Sequence, residues 1–298
     1  MMRRALKRLR GSQPFNYLAT SACRAACAPL GGAPEVFVRR LPRTGAAESR
    51  LPNGRRLRLW SRGDDQVANV LFWRGWAGYE PETTPLFYEL ACKAQVVLDV
   101  GAHVGFYSLL AAHANPSARV VGFEPLPAAA ERFRRNVAEN RLSNVELLEC
   151  AVGDEPGAAT LYNDSQTGEG IPTSSGLSAE FFQSPYFVEH GVRPGAEVQV
   201  RTLDEAARSL GLGRVDLIKI DTETTEPAVL RGARGLLAGD RPVLVFEVLP
   251  GHGTAPEIEE LLAPLGYEFY LLGDKGPEPR EHVEDHPAFW NYLARVRE

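Results

Sequence analysis

Apolar and polar positions along this chain fall into blocks whose period changes, and the changes mark its elements. Val96, Val97, Leu98 and Val100 form an apolar run broken only by Asp99, as expected of a parallel strand buried on both faces. Residues 104–114 then read as a helix, stopped by Asn115 and Pro116, and 120–123 as a second strand. Pro127 opens the next helix, with Ala130, Phe133 and Val137 at i, i+3 and i+7 on its inner face. A third strand at 145–148 precedes a turn at 154–157. Further on the pattern predicts helix 203–210, strand 215–220, helix 227–237, strand 243–246, helix 256–265 and last strands at 267–272 and 292–296. Repeated strand–helix alternation implies right-handed crossovers and a doubly wound α/β sheet.

Two stretches depart from this rhythm. Residues 1–50 show little periodicity and are read as a poorly ordered basic leader. Arg3, Arg4, Lys7, Arg8 and Arg10 at its start are compatible with a frayed end or weak contact with a membrane surface. Residues 163–195 are rich in Ser, Thr, Gly and Pro and carry Phe181, Phe182, Tyr186 and Phe187. A segment that long without regular structure is read as an insert serving as a lid, its aromatics equally suited to a satellite core or a substrate wall. Between them, 51–93 reads as a small strand-and-helix subdomain: Asn53-Gly54 turns, Leu57 and Leu59 share a strand face, and 67–92 suits two packed helices. The main domain is 94–298.

Composition narrows the class without naming a chemistry. The 298 residues are 44% hydrophobic and 24% charged, near the globular average, with a net charge of −5. No apolar run approaches the ~18 residues of a membrane span. The acidic balance argues against nucleic acid as the partner, and only Lys7, Lys93, Lys219 and Lys275 are lysines, too few for a lysine-based ribose-methylating tetrad. Cys23, Cys27, Cys92 and Cys150 are too sparse for a disulfide framework and lack paired metal-ligand spacing, which suits a cytoplasmic location.

In an open α/β sheet, ligands bind beyond the carboxyl ends of the strands. The first strand ends in Asp99-x-Gly101-x-His103-x-Gly105, with Ser108 a turn later, and glycines there let the backbone turn and approach a ligand. The second ends in Glu124-Pro125, 19 residues after Gly105, where an acid can grip a ribose diol. A dinucleotide loop would place glycine at 103 and 106, but His103 and Phe106 stand there, which disfavours a nicotinamide oxidoreductase. An acid-led loop of this form suits a nucleoside without pyrophosphate, such as S-adenosyl-L-methionine. Cys150 and Ala151, after the third strand, can line an adenine slot. The fourth and fifth strands bring Asp221, Glu223 and Glu247 to one rim, with His252 in a Gly-rich loop beyond.

Taken in order, VVLDVGAHVGFYSLL (96–110), VGFEPLP (121–127), the helix bearing Asn136 and Asn140, AVGDEPG (151–157), RTLDE (201–205) and VDLIKIDTETTEPAVLRGA (215–233) resemble the FkbM-type family of S-adenosylmethionine-dependent methyltransferases. The resemblance covers about 51–294. It implies a class I, Rossmann-like fold with a seven-stranded, mostly parallel sheet, and methylation of sugar or polyketide hydroxyls. Three positions depart from the family pattern: His103 stands where Asn is usual, and Thr222 and Thr224 replace the Val and Gly of Asp-Val-Glu-Gly.

The expected cofactor residues are therefore Asp99, Gly101, His103, Gly105, Ser108, Glu124, Pro125, Cys150 and Ala151. The expected acceptor is a hydroxyl of a small molecule or glycan. Its proton must leave, with Asp221, Glu247 and His252 as candidate bases. A divalent metal held by Asp221, Glu223 and Glu247 is the other device. A non-catalytic cofactor-binding protein is the rival reading, raised by Thr224. Asp221, Glu223 and Glu226 equally suit simple capping of the helix that follows.

Overall fold

The computed structural model describes residues 13–30, 32–164, 171–172, 174–183, 187 and 192–297. The leader expected at 1–50 is not uniformly irregular. Its first residues lie outside the described ones, but α1 (Gln13–Cys27), α2 (Glu35–Arg40) and β1 (Thr44–Arg50) are regular. Strand β1 pairs antiparallel with β2 (Arg56–Arg62) across the Asn53-Gly54 turn, so the hairpin straddles the boundary expected at residue 51. The hairpin partner was hidden because Thr-Gly-Ala-Ala-Glu-Ser-Arg has one strand former, Thr44, and otherwise small or charged residues. Helices α3 (Gln66–Arg74) and α4 (Thr84–Ala91) follow, as the pattern at 67–92 predicts.

The central sheet begins at β3 (Val96–Val100), followed by α5 (Phe106–Ala114), β4 (Arg119–Phe123), α6 (Pro127–Asn140) and β5 (Val145–Leu148). A second layer of strands comes next: β6 (Ala151–Val152), β7 (Gly157–Asp164), β8 (Ser175–Gly176) with α7 (Ala179–Phe182), and β9 (Val192–Arg201). Then come α8 (Leu203–Ser209), β10 (Leu217–Ile220), α9 (Glu226–Arg231), α10 (Arg234–Gly239), β11 (Val243–Glu247), α11 (Thr254–Leu262), β12 (Tyr267–Gly273), β13 (Gly276–Arg280) and β14 (Asn291–Val296).

The main sheet runs β13-β12-β14-β11-β10-β3-β4-β5. Strands β11, β10, β3, β4 and β5 are parallel, while β14, β12 and β13 are antiparallel to their neighbours. Seven of these strands form the expected class I sheet, and β13 adds an eighth at the edge, where its Pro277 and Pro279 are tolerated. Successive residues of β3 enter different cores: Val97 joins the cluster shared with α3, α4 and α5, and Leu98 the one shared with α8 to α11. Both faces are thus covered, which is why the strand reads as a continuous apolar run. The helix expected over 227–237 is two, α9 and α10, separated at Gly232, whose added Cβ would stand 2.0 Å from the Gly153 carbonyl oxygen.

Asn136 and Asn140 take up the edge of β2. Asn136 accepts the Trp60 amide at 2.8 Å, and Asn140 accepts the Arg58 amide at 2.9 Å and donates to the Arg58 carbonyl. Side-chain amides here do for an exposed edge what a further strand would do. The larger correction concerns 157–201. Strands β7 and β9 pair over most of their length in a separate sheet ordered β6-β9-β7-β8, so the region read as an irregular insert at 163–195 begins and ends in regular strand. Much of its middle, including Tyr186 and His190, lies outside the described residues. Phe181, Phe182 and Phe187 form a small core with Tyr162 and Leu249, the satellite-core alternative. No helix among the described residues is long and apolar enough to cross a membrane.

Candidate active site

The carboxyl ends of β3, β4, β10 and β11 open on one cleft of roughly 860 Å³, counting its mouth. Strand β3 has β4 on one side and β10 on the other, so the cleft lies at the switch in strand order. Of the expected cofactor residues, Gly101, His103, Glu124, Pro125, Cys150 and Ala151 line it, with Val100, Phe123, Val152, Leu161 and Leu177 as apolar wall.

Gly101 has φ +77°, and a Cβ there would stand 1.8 Å from the Asp221 carbonyl oxygen, so no other residue fits this close approach of β3 and β10. His103 is also left-handed, with φ +51°, a conformation that histidine adopts more readily than most residues. Its amide donates to Glu124 Oε2 at 2.7 Å, while Oε1 accepts the Leu126 amide at 2.7 Å. Glu124 is 3% exposed. Burial raises its pKa above the usual carboxylate value, the His103 charge and the two amides opposing this. A carboxylate offers about four acceptor positions, so two amides leave capacity for a ligand's hydroxyls.

Three expected cofactor residues lie elsewhere. Asp99, 2% exposed, accepts the Ser108 hydroxyl at 2.6 Å, and neither side chain lines the cleft. Gly105 makes room for the Phe133 ring, which a Cβ would meet at 2.3 Å. These residues shape the loop from behind rather than facing a ligand.

One side of the cleft is acidic. Glu80, Asp221, Glu223 and Glu247 line it alongside Glu124. Beneath them sits Lys219, 2% exposed, donating from Nζ to Asp221 Oδ2 at 2.6 Å with its ammonium 4.4 Å from the Tyr107 ring centroid. Burial opposes its charge, but Asp221, Glu80 and Asp99 outweigh that and hold its pKa above the ordinary lysine value. Glu80 accepts the Tyr107 hydroxyl at 2.6 Å and is itself raised by burial, with Lys219 partly offsetting. Glu247 is raised well above the carboxylate range by burial and then by Asp221, Glu223 and Glu226. Burial also pushes the Cys150 thiol up to about 11, which keeps it a passive wall.

Tyr79, Glu80 and Lys219 were missed as site residues. A signal existed for Lys219, because a lysine in a strand buried on both faces must be paired with acids. For Tyr79 and Glu80 there was none: the segment reads as helix packing, and the left-handed turn at Glu80, φ +42°, is not written in its composition. His252 is not in the cleft. It packs edge-on against Phe181, 5.0 Å between ring centroids, in an adjoining depression, which weakens it as a base. His113 bonds Asn140 and is structural. The Thr222–Glu226 turn keeps a glycine-like backbone, with φ +57° at Glu223 and +76° at Thr224. Glu226 reaches back to accept the Thr222 amide at 2.9 Å and so braces the turn; helix α9 has no side-chain cap at its start. Among the described residues no group of three or more His, Cys, Asp and Glu is gathered to hold a metal. Asp221, the central acid of the expected set, is already engaged by Lys219.

Residues 99–269 match the sequence model of the methyltransferase FkbM domain, more than half of the chain. The chain belongs to the FkbM methyltransferase family. A relative from Streptomyces tacrolimicus, the 31-O-demethyl-FK506 methyltransferase FkbM, is 27% identical over 199 residues, covering 61% of this chain and 75% of that protein. The AMB antimetabolite synthetase AmbE of Pseudomonas aeruginosa is 30% identical over 207 residues, which cover 60% of this chain and only 10% of that much longer protein. The solved FkbM methyltransferase from Methylobacillus flagellatus is 18% identical, with a TM-score of 0.43 over 68% of this chain and 44% of that one. The chain is thus an S-adenosylmethionine-dependent methyltransferase with a class I sheet. With that, the nicotinamide and non-catalytic readings fall away.

Proposed function

We propose that this FkbM-family enzyme methylates a hydroxyl of a small molecule or glycan. The observation that carries the reading is the acidic rim. Asp221, Glu223 and Glu247 line the same cleft as Gly101 and Glu124, so groups able to take a proton adjoin the cofactor side. The residues present fit the cofactor. Gly101 gives the backbone a close approach, Glu124 keeps acceptor capacity suited to a diol, and Phe123, Cys150, Ala151 and Val152 form a mostly apolar slot suited to adenine. S-adenosylmethionine supplies an electrophilic methyl group on a sulfonium, and five lining carboxylates favour that positive charge.

An alcohol is a poor nucleophile until its proton leaves, and positioning of the acceptor oxygen supplies much of the remaining rate. The rim carboxylates take the proton. Leu161 and Leu177 exclude water from the wall, and Ser175 and Gly176 cross beside Thr222 and Glu223 to narrow the entrance. This strap is the described part of the segment read as a lid, and closing over both ligands is its proposed task. The decisive assay incubates glycan and polyketide pools with enzyme and methyl-deuterated cofactor, followed by mass spectrometry. Label on oxygen in one product class supports the reading; label on nitrogen or carbon alone refutes it.

A further inference from the structure

The acidic side of the cleft offers four carboxylates for one proton, and their partners separate them: Glu80 already accepts the Tyr107 hydroxyl at 2.6 Å. Asp221 is held at 2.6 Å by Lys219, and that lysine has nowhere else to go, enclosed by Tyr107, Glu80 and Asp99. Asp221 Oδ2 is therefore already occupied by a donor and is not open to the acceptor's hydroxyl. Glu223 is turned into the left-handed loop against Gly176, its Cβ 3.2 Å from where a Cβ on that glycine would stand. Glu247 differs from these. It ends β11 next to the strand that carries Asp221, it lines the cleft, and among the described residues no lysine, arginine or histidine forms an ion pair with it. Asp221, Glu223 and Glu226 face it with like charge, Tyr79 lies alongside, and Lys219 acts on it only through space.

We propose that Glu247 takes the acceptor's proton, and that Lys219 is the positioning residue that leaves it this task by holding Asp221. The inference rests on the hydroxyl reading above. Glu247 receives the proton as the acceptor oxygen bonds to the methyl carbon, and the carbon–sulfur bond breaks with its electron pair left on sulfur. Glu247 then returns the proton to solvent as product leaves, so nothing beyond cofactor and acceptor is consumed.

The test needs no acceptor. Sinefungin carries an amine where the cofactor carries its transferable methyl, so a carboxylate facing that position favours it over S-adenosylhomocysteine. Calorimetry on the full chain should show sinefungin bound about tenfold or more tighter than S-adenosylhomocysteine, the worth of one charged hydrogen bond. Glu247→Gln should remove most of that preference, the other lining acids keeping a small remainder, with S-adenosylhomocysteine affinity unchanged, which also shows the variant is folded. Asp221→Asn should keep most of the preference. In the double variant Glu247→Gln, Lys219→Met, Asp221 is released from its cation and part of the preference returns, which a purely structural lysine would not produce. A Glu247→Gln enzyme that retains the preference, or an Asp221→Asn enzyme that loses it, overturns the proposal. Failure of the wild type to bind either compound overturns the cofactor site instead. Label on nitrogen or carbon alone in the pool assay overturns the hydroxyl reading.

Discussion

Glu226 offers the sharpest test of the electrostatics around the cleft. It is 1% exposed, and its Oε1 accepts both the Thr222 amide at 2.9 Å and the Thr222 hydroxyl at 3.0 Å. Burial pushes its pKa from 4.5 up to about 7, against the pull of those hydrogen bonds. A group whose folded pKa is raised stabilises the fold fully below its unfolded pKa, and that contribution is lost as pH rises through the folded value. Here the loss falls between about pH 4.5 and pH 7 and amounts to about 3 kcal/mol, at 1.36 kcal/mol per pH unit. Glu226→Gln keeps the accepting oxygen and removes the ionisation. Urea unfolding at a series of pH values should find the variant more stable than wild type by about 3 kcal/mol at pH 8. The two should be equal near pH 4.5. A stability difference that does not change with pH, or a variant less stable at pH 8, would show that Glu226 is ionised at little cost and that the rim is wetter than its burial implies.

Four further outcomes follow from single positions. Gly101→Ala drives a Cβ to 1.8 Å from the Asp221 carbonyl at φ +77°, so it should cost more than about 4 kcal/mol or abolish folding, read by thermal melting. Glu124→Ala removes an acceptor shared by two amides and the proposed diol; calorimetry should show S-adenosylhomocysteine bound roughly 10- to 150-fold more weakly, and unchanged affinity would refute the assignment. Thr224→Gly relieves a β-branched residue at φ +76° and should raise stability by about 0.5–1 kcal/mol while leaving cofactor affinity unaltered. Amide exchange over 174–183 should slow when cofactor product and acceptor are both bound, whereas equal exchange would mark that strap as static.

What could be read from the chain divides along the range of the forces involved. The parallel strands were legible because burial on both faces writes an apolar run into a local stretch, and Gly101 because its φ admits nothing else. Strands β7 and β9 were not legible: they stabilise one another across about forty residues, and Gly157-Ala-Ala-Thr has no pattern that announces a partner that far away. Asp99 near the end of β3, Gly105 just before α5 and Ser108 within it frame the loop, but Asp99 and Ser108 bond each other away from the cleft and Gly105 makes room for Phe133. Sequence spacing says which residues occupy a strand end, whereas the side on which each side chain emerges depends on Phe133 and Lys219, supplied by other elements.

That dependence locates the arrangement of the cleft's acids in the sheet register. Lys219 pairs across β10 with Asp99 on β3 and with Val245 on β11, and side chains at paired positions share a face. Two residues further, on the same face, the strands end at Gly101, Asp221 and Glu247. One rung therefore holds a buried lysine beside an acid, and the next holds two of the cleft's acids, Asp221 and Glu247, beside a glycine that leaves room for them. Lys219 spans the gap between rungs and reaches Asp221, but β11 carries an apolar valine at the level of the lysine, so Glu247 has no matching cation below it. The asymmetry between the two acids is built from strand pairing rather than from loops. A slip of one residue between β10 and β3 would turn Lys219 and Asp221 to the opposite core, where Leu98 and Ile218 pack, and would empty the cleft of both. Close contact at Gly101 opposes that slip, because only a glycine placed at the level of Asp221 lets the two strand ends approach to this distance.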